Sequence, residues 1–361
     1  MSGKKSKQRI IAIDALRGLA VLLMLLQHII YWVCGELQTS PAMPLLGALG
    51  GLAAPIFIVL AGTGVTLASD RHKNVDRLLA GRGLMIIGFG YVLNLLAPNW
   101  FSPESWYVLH MIGFGLLVAP VLRKAASSLL VVMILATVAL TAIVQSSFNI
   151  PLHIGNSYMA SADLPWGVLR LALAESFFPV FPWIGFFMAG LVAGRWLAEG
   201  ALSLLLRAAG LLFAAAVMLS AVYPAGFEFV RHEPWIRIFK PIPNFYPALA
   251  PVTFFLMACA LMLVFIFVSF YRSRISAGLM PSGRGSKLLA DLGRCSLTII
   301  MVHIPLIREP VVRLNIWRTF STAETLASVL AVLILFSLSA MLWSRVHFKY
   351  GAEWLIRRVF P

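Results

Sequence analysis

The sequence predicts an all-α fold, a polytopic integral-membrane helical bundle of about ten transmembrane helices with both termini cytoplasmic. Three observations carry that prediction. Of 361 residues, 60% are hydrophobic and 12% charged, with a mean hydropathy of +0.89, whereas an ordinary soluble domain carries about 25% charged residues. Apolar runs long enough to cross a bilayer, about 20 residues at 1.5 Å rise, recur along the chain. Lys and Arg gather between alternate runs, as cytoplasmic loops do. This composition excludes a disordered tail, a collagen-like repeat and a disulfide-stapled domain. The net charge of +15 belongs to those loops and not to a nucleic-acid surface.

The first span, near 10–33, follows a basic tail, 1–9, with Lys4, Lys5, Lys7 and Arg9. Its apolar stretch is too long for a signal peptide and lacks a small-residue cleavage site, so it is expected to remain as a helix. The second, 45–68, carries LAGTGVTLAS, whose Gly62 and Gly64 suit close helix packing. The third and fourth, 83–98 and 105–122, are the shortest. Basic residues in 71–82 precede them, and Arg123 and Lys124 come after. The fifth, 125–145, runs into a long segment, 146–176. The sixth, 177–198, holds GLVAG, with Gly190 and Gly194 of the same small-residue kind, and Arg195 and Arg207 flank its junction with the seventh, 201–223. A second long segment, 224–247, leads to the eighth span, 248–270. The basic stretch 272–294 then contains PSGRGSK, which lacks phosphate-loop spacing and reads as a flexible linker. The ninth span, 288–307, and the tenth, 322–343, complete the set before a basic tail, 344–361. Alternation from a cytoplasmic N-terminus places 21 Lys and Arg inside and 7 outside, with Arg17 within the first span. The chain 1–361 is therefore expected to form a single membrane-embedded domain.

The two long segments carry Asp163, Glu175, Glu228, His232 and Glu233. They are expected either to roof a cavity on the outer side or, through Trp166 and Trp235, to sit in the aromatic belt. Cys34, Cys259 and Cys295 are far apart, with no CxxC, HxxxH or HExxH near them, so they are expected to pack and not to bind metal.

Ionisable groups inside a span cost several kcal/mol unless they face a cavity or a partner, so each is a functional candidate. The first span holds three. Arg17 and His28 are eleven residues apart, which leaves them about 20° from one another on one helix face and about 16.5 Å apart along it. Asp14 is placed to pair with Arg17 at i,i+3 and is too far along the axis to orient His28. Any carboxylate partner of His28 must come from elsewhere. His110 and His303 are candidates for the same cavity, with Ser296 on the face of His303. Each also suits a structural interhelical hydrogen bond.

RIIAIDALRGLAVLLMLLQH resembles the first-helix signature of transmembrane acyltransferases, in which ten residues separate an Arg and a His, here Arg17 and His28. APIFIVLAGTGVTLA, RGLMIIGFGYVLNLL, YVLHMIGFGLLVAPVL, FPVFPWIGFFMAGLVAG and LGRCSLTIIMVHIPLI come next, in order. The set is similar to bacterial relatives of heparan-α-glucosaminide N-acetyltransferase, with the O-acylating acyltransferase-3 family as cousins. The resemblance implies an enzyme of the bacterial inner membrane and cell envelope. It would move an acyl group, usually acetyl, from cytoplasmic acetyl-CoA to a sugar hydroxyl or amine of a glycan or glycolipid on the far side. It matches His28 to the catalytic histidine and Arg17 to the arginine of donor binding or site architecture. The outer loops share no motif with the lysosomal enzyme, so the heparan acceptor is not carried over.

The residues allow this chemistry independently. The polyanionic head of an acyl-CoA can rest among Arg71, Lys73, Arg77, Arg82, Arg284 and Lys287, with its arm threaded between helices toward His28. His28 can act as general base or be transiently acylated. Arg17, Trp183 Nε1 or Ser296 can stabilise the oxyanion. No metal is needed, and the inner-face charge also attracts anionic membrane lipids. The alternative reading is a secondary transporter or lipid flippase, for which intramembrane ionisable groups are equally natural. No internal repeat relates the two halves. A structural subunit would leave the aligned Arg17 and His28 without a task.

Overall fold

In lipid, backbone amides can bond only to one another, so an apolar chain folds into helices. The structure, a computed structural model, describes residues 11–37, 39–69, 74–152, 166–241, 246–277 and 283–361. Their order begins with α1 (Ile11–Val33), then α2 (Ala42–Gly50) and α3 (Ala53–Ser69), which together run the length of one span. Next come α4 (Val75–Leu96), α5 (Val108–Leu122), α6 (Ser127–Ser147) and the single turn α7 (Gly167–Arg170). α8 (Val180–Glu199), α9 (Leu202–Val222), the short α10 (Trp235–Phe239) and α11 (Ala250–Ser276) succeed them. The chain closes with α12 (Arg284–Arg294), α13 (Ser296–His303), α14 (Glu309–Arg313), α15 (Thr322–Ser344) and α16 (Ala352–Val359).

Among the described residues, eight helices are long and apolar enough to cross a membrane. Counting the bent pair as one span gives nine, close to the expected ten, and two places differ from the simple pattern. α5 has 15 residues, short of a span, because a turn held by Tyr107 delays its start. The ninth span is broken: α12 meets the helical run Ser296–Arg313 at 66°. The reason is local. Arg284 and Lys287 are exposed while Leu288, Leu289 and Leu292 pack inward, so α12 is amphipathic instead of apolar all round. The expected linker is thus helical from Arg284 onward. Glu353 of α16 then caps the new start at α13, accepting from Leu297 N at 2.5 Å, Thr298 N at 3.2 Å and the Thr298 hydroxyl at 2.6 Å.

Interhelix packing in lipid rests on close van der Waals contact, which small residues permit. α8 is the hub and packs on α3. A Cβ at Gly62 would stand 2.1 Å from the Phe187 carbonyl oxygen, and one at Gly190 would stand 2.1 Å from that of Val59. The Thr63 hydroxyl donates into the same seam, to Val59 O at 2.9 Å and Gly190 O at 3.1 Å. Gly194 also packs closely, whereas Gly64 faces open space.

Successive helices alternate between two rims. On the rim holding Arg17, Asp76 pairs with Arg123 at 2.7 Å and Lys124 at 3.0 Å, and Arg82 donates to Phe360 O at 2.9 Å. On the rim holding His28, Asn99 meets Glu309, Cys34 meets Phe320, and Arg237 reaches from α10 to Gln145 and the Ile150 carbonyl. Arg237 also bonds Glu233, and Glu175 pairs with Arg170. These contacts latch the described parts of the two long segments onto the bundle. Trp166 and Trp235 are exposed; Asp163 lies outside the described residues.

Candidate functional site

α1 carries His28 to one rim, and α13 ends there on His303. His28 Nδ1 and His303 Nε2 are 2.8 Å apart. A carbonyl oxygen only accepts, so His303 Nδ1, 2.9 Å from Ile299 O, carries its ring proton there. The neutral His303 ring then accepts on Nε2, and His28 must donate from Nδ1. That network leaves the His28 lone pair on Nε2. Among the described residues the His28 ring makes no other hydrogen bond, and the residue is partly exposed whereas His303 is buried.

Aromatic rings hold the pair in place. Trp32 stacks on His28 with centroids 5.1 Å apart, Trp100 meets His28 edge-on at 5.3 Å, and the two indoles meet each other at 5.4 Å. Behind Trp100 lies a buried polar group. Arg308 stands over the Trp100 ring at 5.0 Å and over Trp317 at 5.1 Å, and donates from Nη2 to Asn99 O at 2.9 Å. Glu309 lies 3.4 Å from Arg308 Nη1 and accepts from Asn99 Nδ2 at 2.5 Å.

A change of helix type brings Arg308 nearer to the side of His303. Residues Ile304–Arg308 form a π-helical turn, whose i→i+5 hydrogen bonding widens the turn and brings residues five apart nearer to one face. In an α-helix the same two residues would point about 140° apart. Pro305 begins this turn and offers no amide to an α-helical ladder.

The other residues singled out from the sequence lie elsewhere. Arg17 pairs with buried Asp14 at 3.5 Å, as their spacing implied, and stays about 16.5 Å along α1 from His28. Ser296 opens α13 seven residues before His303, about 10.5 Å back along the helix. Trp183 is buried in α8 between Phe178 and Phe186. Arg17 and Ser296 thus stand axially away from the imidazole pair, and Trp183 packs within the hub. His110 accepts from Tyr107 N at 3.2 Å and helps cap α5. It joins a ring series through Tyr107, Phe101 and Trp100 to His28 but does not touch the pair. Arg77 and Arg82 lie on α4, which packs on α5, and Arg284 and Lys287 lie exposed on α12, which packs on α1. Arg71 and Lys73 lie outside the described residues.

Sequence reasoning named His303 but missed Trp32, Trp100, Asn99 and Glu309, and counted Arg308 only as a loop cation. The usable signal was HIPLIREP: a proline two residues after an intramembrane histidine shifts the helical phase of the residues beyond it.

Residues 9–221, more than half of the chain, match the family described as heparan-alpha-glucosaminide N-acetyltransferase, catalytic. The match takes in His28, Trp32 and Trp100; His303 and Arg308 lie beyond it. No curated protein matches the chain.

Proposed function

Because the chain belongs to the heparan-alpha-glucosaminide N-acetyltransferase catalytic family, a family of membrane acetyltransferases, we propose that it moves an acetyl group from acetyl-CoA to an envelope sugar. The donor enters from the cytoplasmic Arg17 rim of a bacterial inner membrane, and the sugar amine or hydroxyl waits at the outer, His28 rim. His28 is the general base. The observation that carries this reading is the fixed chain from Ile299 O through His303 to His28, which turns an unprotonated Nε2 away from the pair.

The chemistry stems from that tautomer. An acceptor N–H or O–H donates to His28 Nε2 as its heteroatom attacks the acyl carbon, and the imidazolium that forms passes a hydrogen bond to His303. The thiolate of CoA leaves with the proton that His28 took. The rings of Trp32 and Trp100 exclude water and fix the imidazole plane, so the base is held in place before substrate arrives. Arg77, Arg82, Arg284 and Lys287 give the Arg17 rim positive charge for the CoA phosphates. The span from Arg17 to His28 is comparable with the length of the CoA arm.

The test is transfer of labelled acetyl from acetyl-CoA to a cell-envelope glycan extract by purified protein in detergent, wild type beside His28→Ala. Label on a glycan, lost by roughly 10²–10⁴-fold in the variant, is expected for a positioned base. Full turnover in His28→Ala ends that assignment. An acid-trapped acetyl-imidazole would make His28 a carrier. Folded wild type that consumes no acetyl-CoA gives the transporter reading first place.

A further inference from the structure

The base accounts for the proton but leaves the negative charge of the reaction without a partner. Acetyl transfer passes through a tetrahedral intermediate whose oxygen takes the electron pair of the former C=O bond, and a preorganised donor for that oxygen is commonly the largest single catalytic contribution. Arg17, Trp183 and Ser296 do not meet the imidazole pair. Arg308 does better on four counts. It is buried, with a side chain 9% exposed. Its Nε–H has no hydrogen-bond partner among the described residues, which is costly for a buried donor. Nη1 holds Glu309 only at 3.4 Å, so this contact is weak. Finally, the wider π turn brings it nearer to the His303 side of the helix than α geometry would.

Distances fit as well. Trp100 is 5.3 Å from the His28 ring and 5.0 Å from the Arg308 guanidinium carbon, so the two groups lie within the sum of those legs, about 10 Å. A heteroatom about 3 Å from Nε2, attacking a carbonyl whose oxygen lies about 3 Å from a donor, bridges a gap of that size.

We propose that Arg308 is the oxyanion donor of the reaction, its free Nε–H taking the acyl oxygen as charge develops there. The acceptor heteroatom bonds to the acyl carbon, the C=O π pair moves onto oxygen beside Arg308, and His28 Nε2 takes the acceptor proton. Collapse then restores C=O, breaks the C–S bond and returns the proton from His28 to the departing thiolate. Asn99 and Glu309 hold the guanidinium, and the Trp100 and Trp317 rings sandwich it.

This inference rests on acetyl transfer at His28, so the experiment includes wild type and His28→Ala as references. Arg308→Lys keeps a cation beside Glu309 while removing Nε and the planar fork, and Arg308→Gln removes the charge. With labelled acetyl-CoA and the envelope glycan extract, kcat is expected to fall about 10²-fold in the lysine variant and about 10³-fold in the glutamine variant. KM for acetyl-CoA and for the extract should stay within about threefold, and the melting temperature of Arg308→Lys should stay near wild type. An unchanged kcat in Arg308→Lys, or a loss confined to KM, overturns the assignment while the His28 reading stands. Absence of turnover in folded wild type removes both.

Discussion

Near one end of α1 a neighbouring helix lies backbone to backbone; near the other, just before Trp32 and Val33 accept from Arg318 N and Phe320 N, the His28 ring sits in a box of rings. A Cβ at Gly18 would sit 1.9 Å from Leu289 O, and one at Gly293 would sit 1.9 Å from Asp14 O. No ligand fits between helices so close. The His28 ring itself contacts Trp32, Trp100 and His303, and the residue is partly exposed. The two ends are coupled, because α12 supplies Leu289 and Gly293 and runs through the break at Cys295 into α13, which delivers His303. The tight end sets the register, and the open end uses it.

The most damaging way to break this pairing is to force the tight end apart. Gly18→Val is expected to cost more than the roughly 1–3 kcal/mol of ordinary overpacking, since the obstacle is a backbone carbonyl that no rotamer can move. Little folded protein should elute on size exclusion, and what does should lack transfer activity. Gly64→Ala, with open space around its site, serves as the control and should melt at or above the wild-type temperature. Equal melting of Gly18→Val and wild type would separate the two ends and end the coupling argument.

At the open end, His303→Gln and His303→Phe sharpen the contrast from the other side. Loss of a buried hydrogen-bond partner costs about 1–3 kcal/mol. If that cost is felt in the transition state, transfer slows by roughly 10- to 100-fold. Phenylalanine, which cannot accept from His28 Nδ1, should be the slower enzyme, and glutamine, which keeps an acceptor, should melt closer to wild type. The pH dependence of kcat is the readout that separates positioning from packing: a partner that fixes the tautomer should shift the profile, and a merely structural ring should not.

These effects also mark what could be read from the chain alone. Hydropathy is a local property, so the spans were legible, and so was the Asp14–Arg17 pair, which needs only i,i+3 spacing on one helix. His28 was legible because an ionisable group in an apolar run is conspicuous. Its partner was named but not joined to it, since the bond links residues 275 positions apart and no spacing rule reaches across helices. Ser296 was assigned by helical phase to the His303 face, which says nothing of the distance along the axis. Arg308 failed for the opposite reason: phase arithmetic assumes α geometry, and the wider π turn shifts the answer. Trp100 was hidden because a tryptophan near a span end is usually a belt residue.

The clamp on the broken span gives a smaller effect. Glu353 brings two backbone amides and the Thr298 hydroxyl to one carboxylate at the start of α13. Glu353→Gln keeps one acceptor and loses the charge that favours a helix N-terminus. It should therefore destabilise by about 1 kcal/mol. Thermal melting in detergent checks this, and a parallel drop in transfer would show that the clamp positions His303 as well as holding the fold. Unchanged melting would mean the break is maintained by α12 and α1 without it.

The smallest effect lies at the exposed junction near the His28 rim. Hydrogen bonds from the Thr322 hydroxyl, at 2.6 Å, and the Thr322 amide, at 2.8 Å, hold the Glu36 carboxyl below the usual carboxylate range. A depressed folded-state pKa means the unfolded chain binds the proton more readily, so the contribution is present above the ordinary glutamate value and disappears as pH falls through the folded value. Wild type should thus lose slightly more melting temperature between pH 7 and pH 3 than Glu36→Gln, whose amide does not titrate. Because the group is solvent-exposed, screening by salt should shrink the difference. Gly18→Val and His303→Gln should not change their spacing from wild type with salt, since neither acts through an exposed charge. A salt-sensitive effect at His303 would place that residue with the exposed charges and not with the box, and would undo the distinction between a held end and a working end.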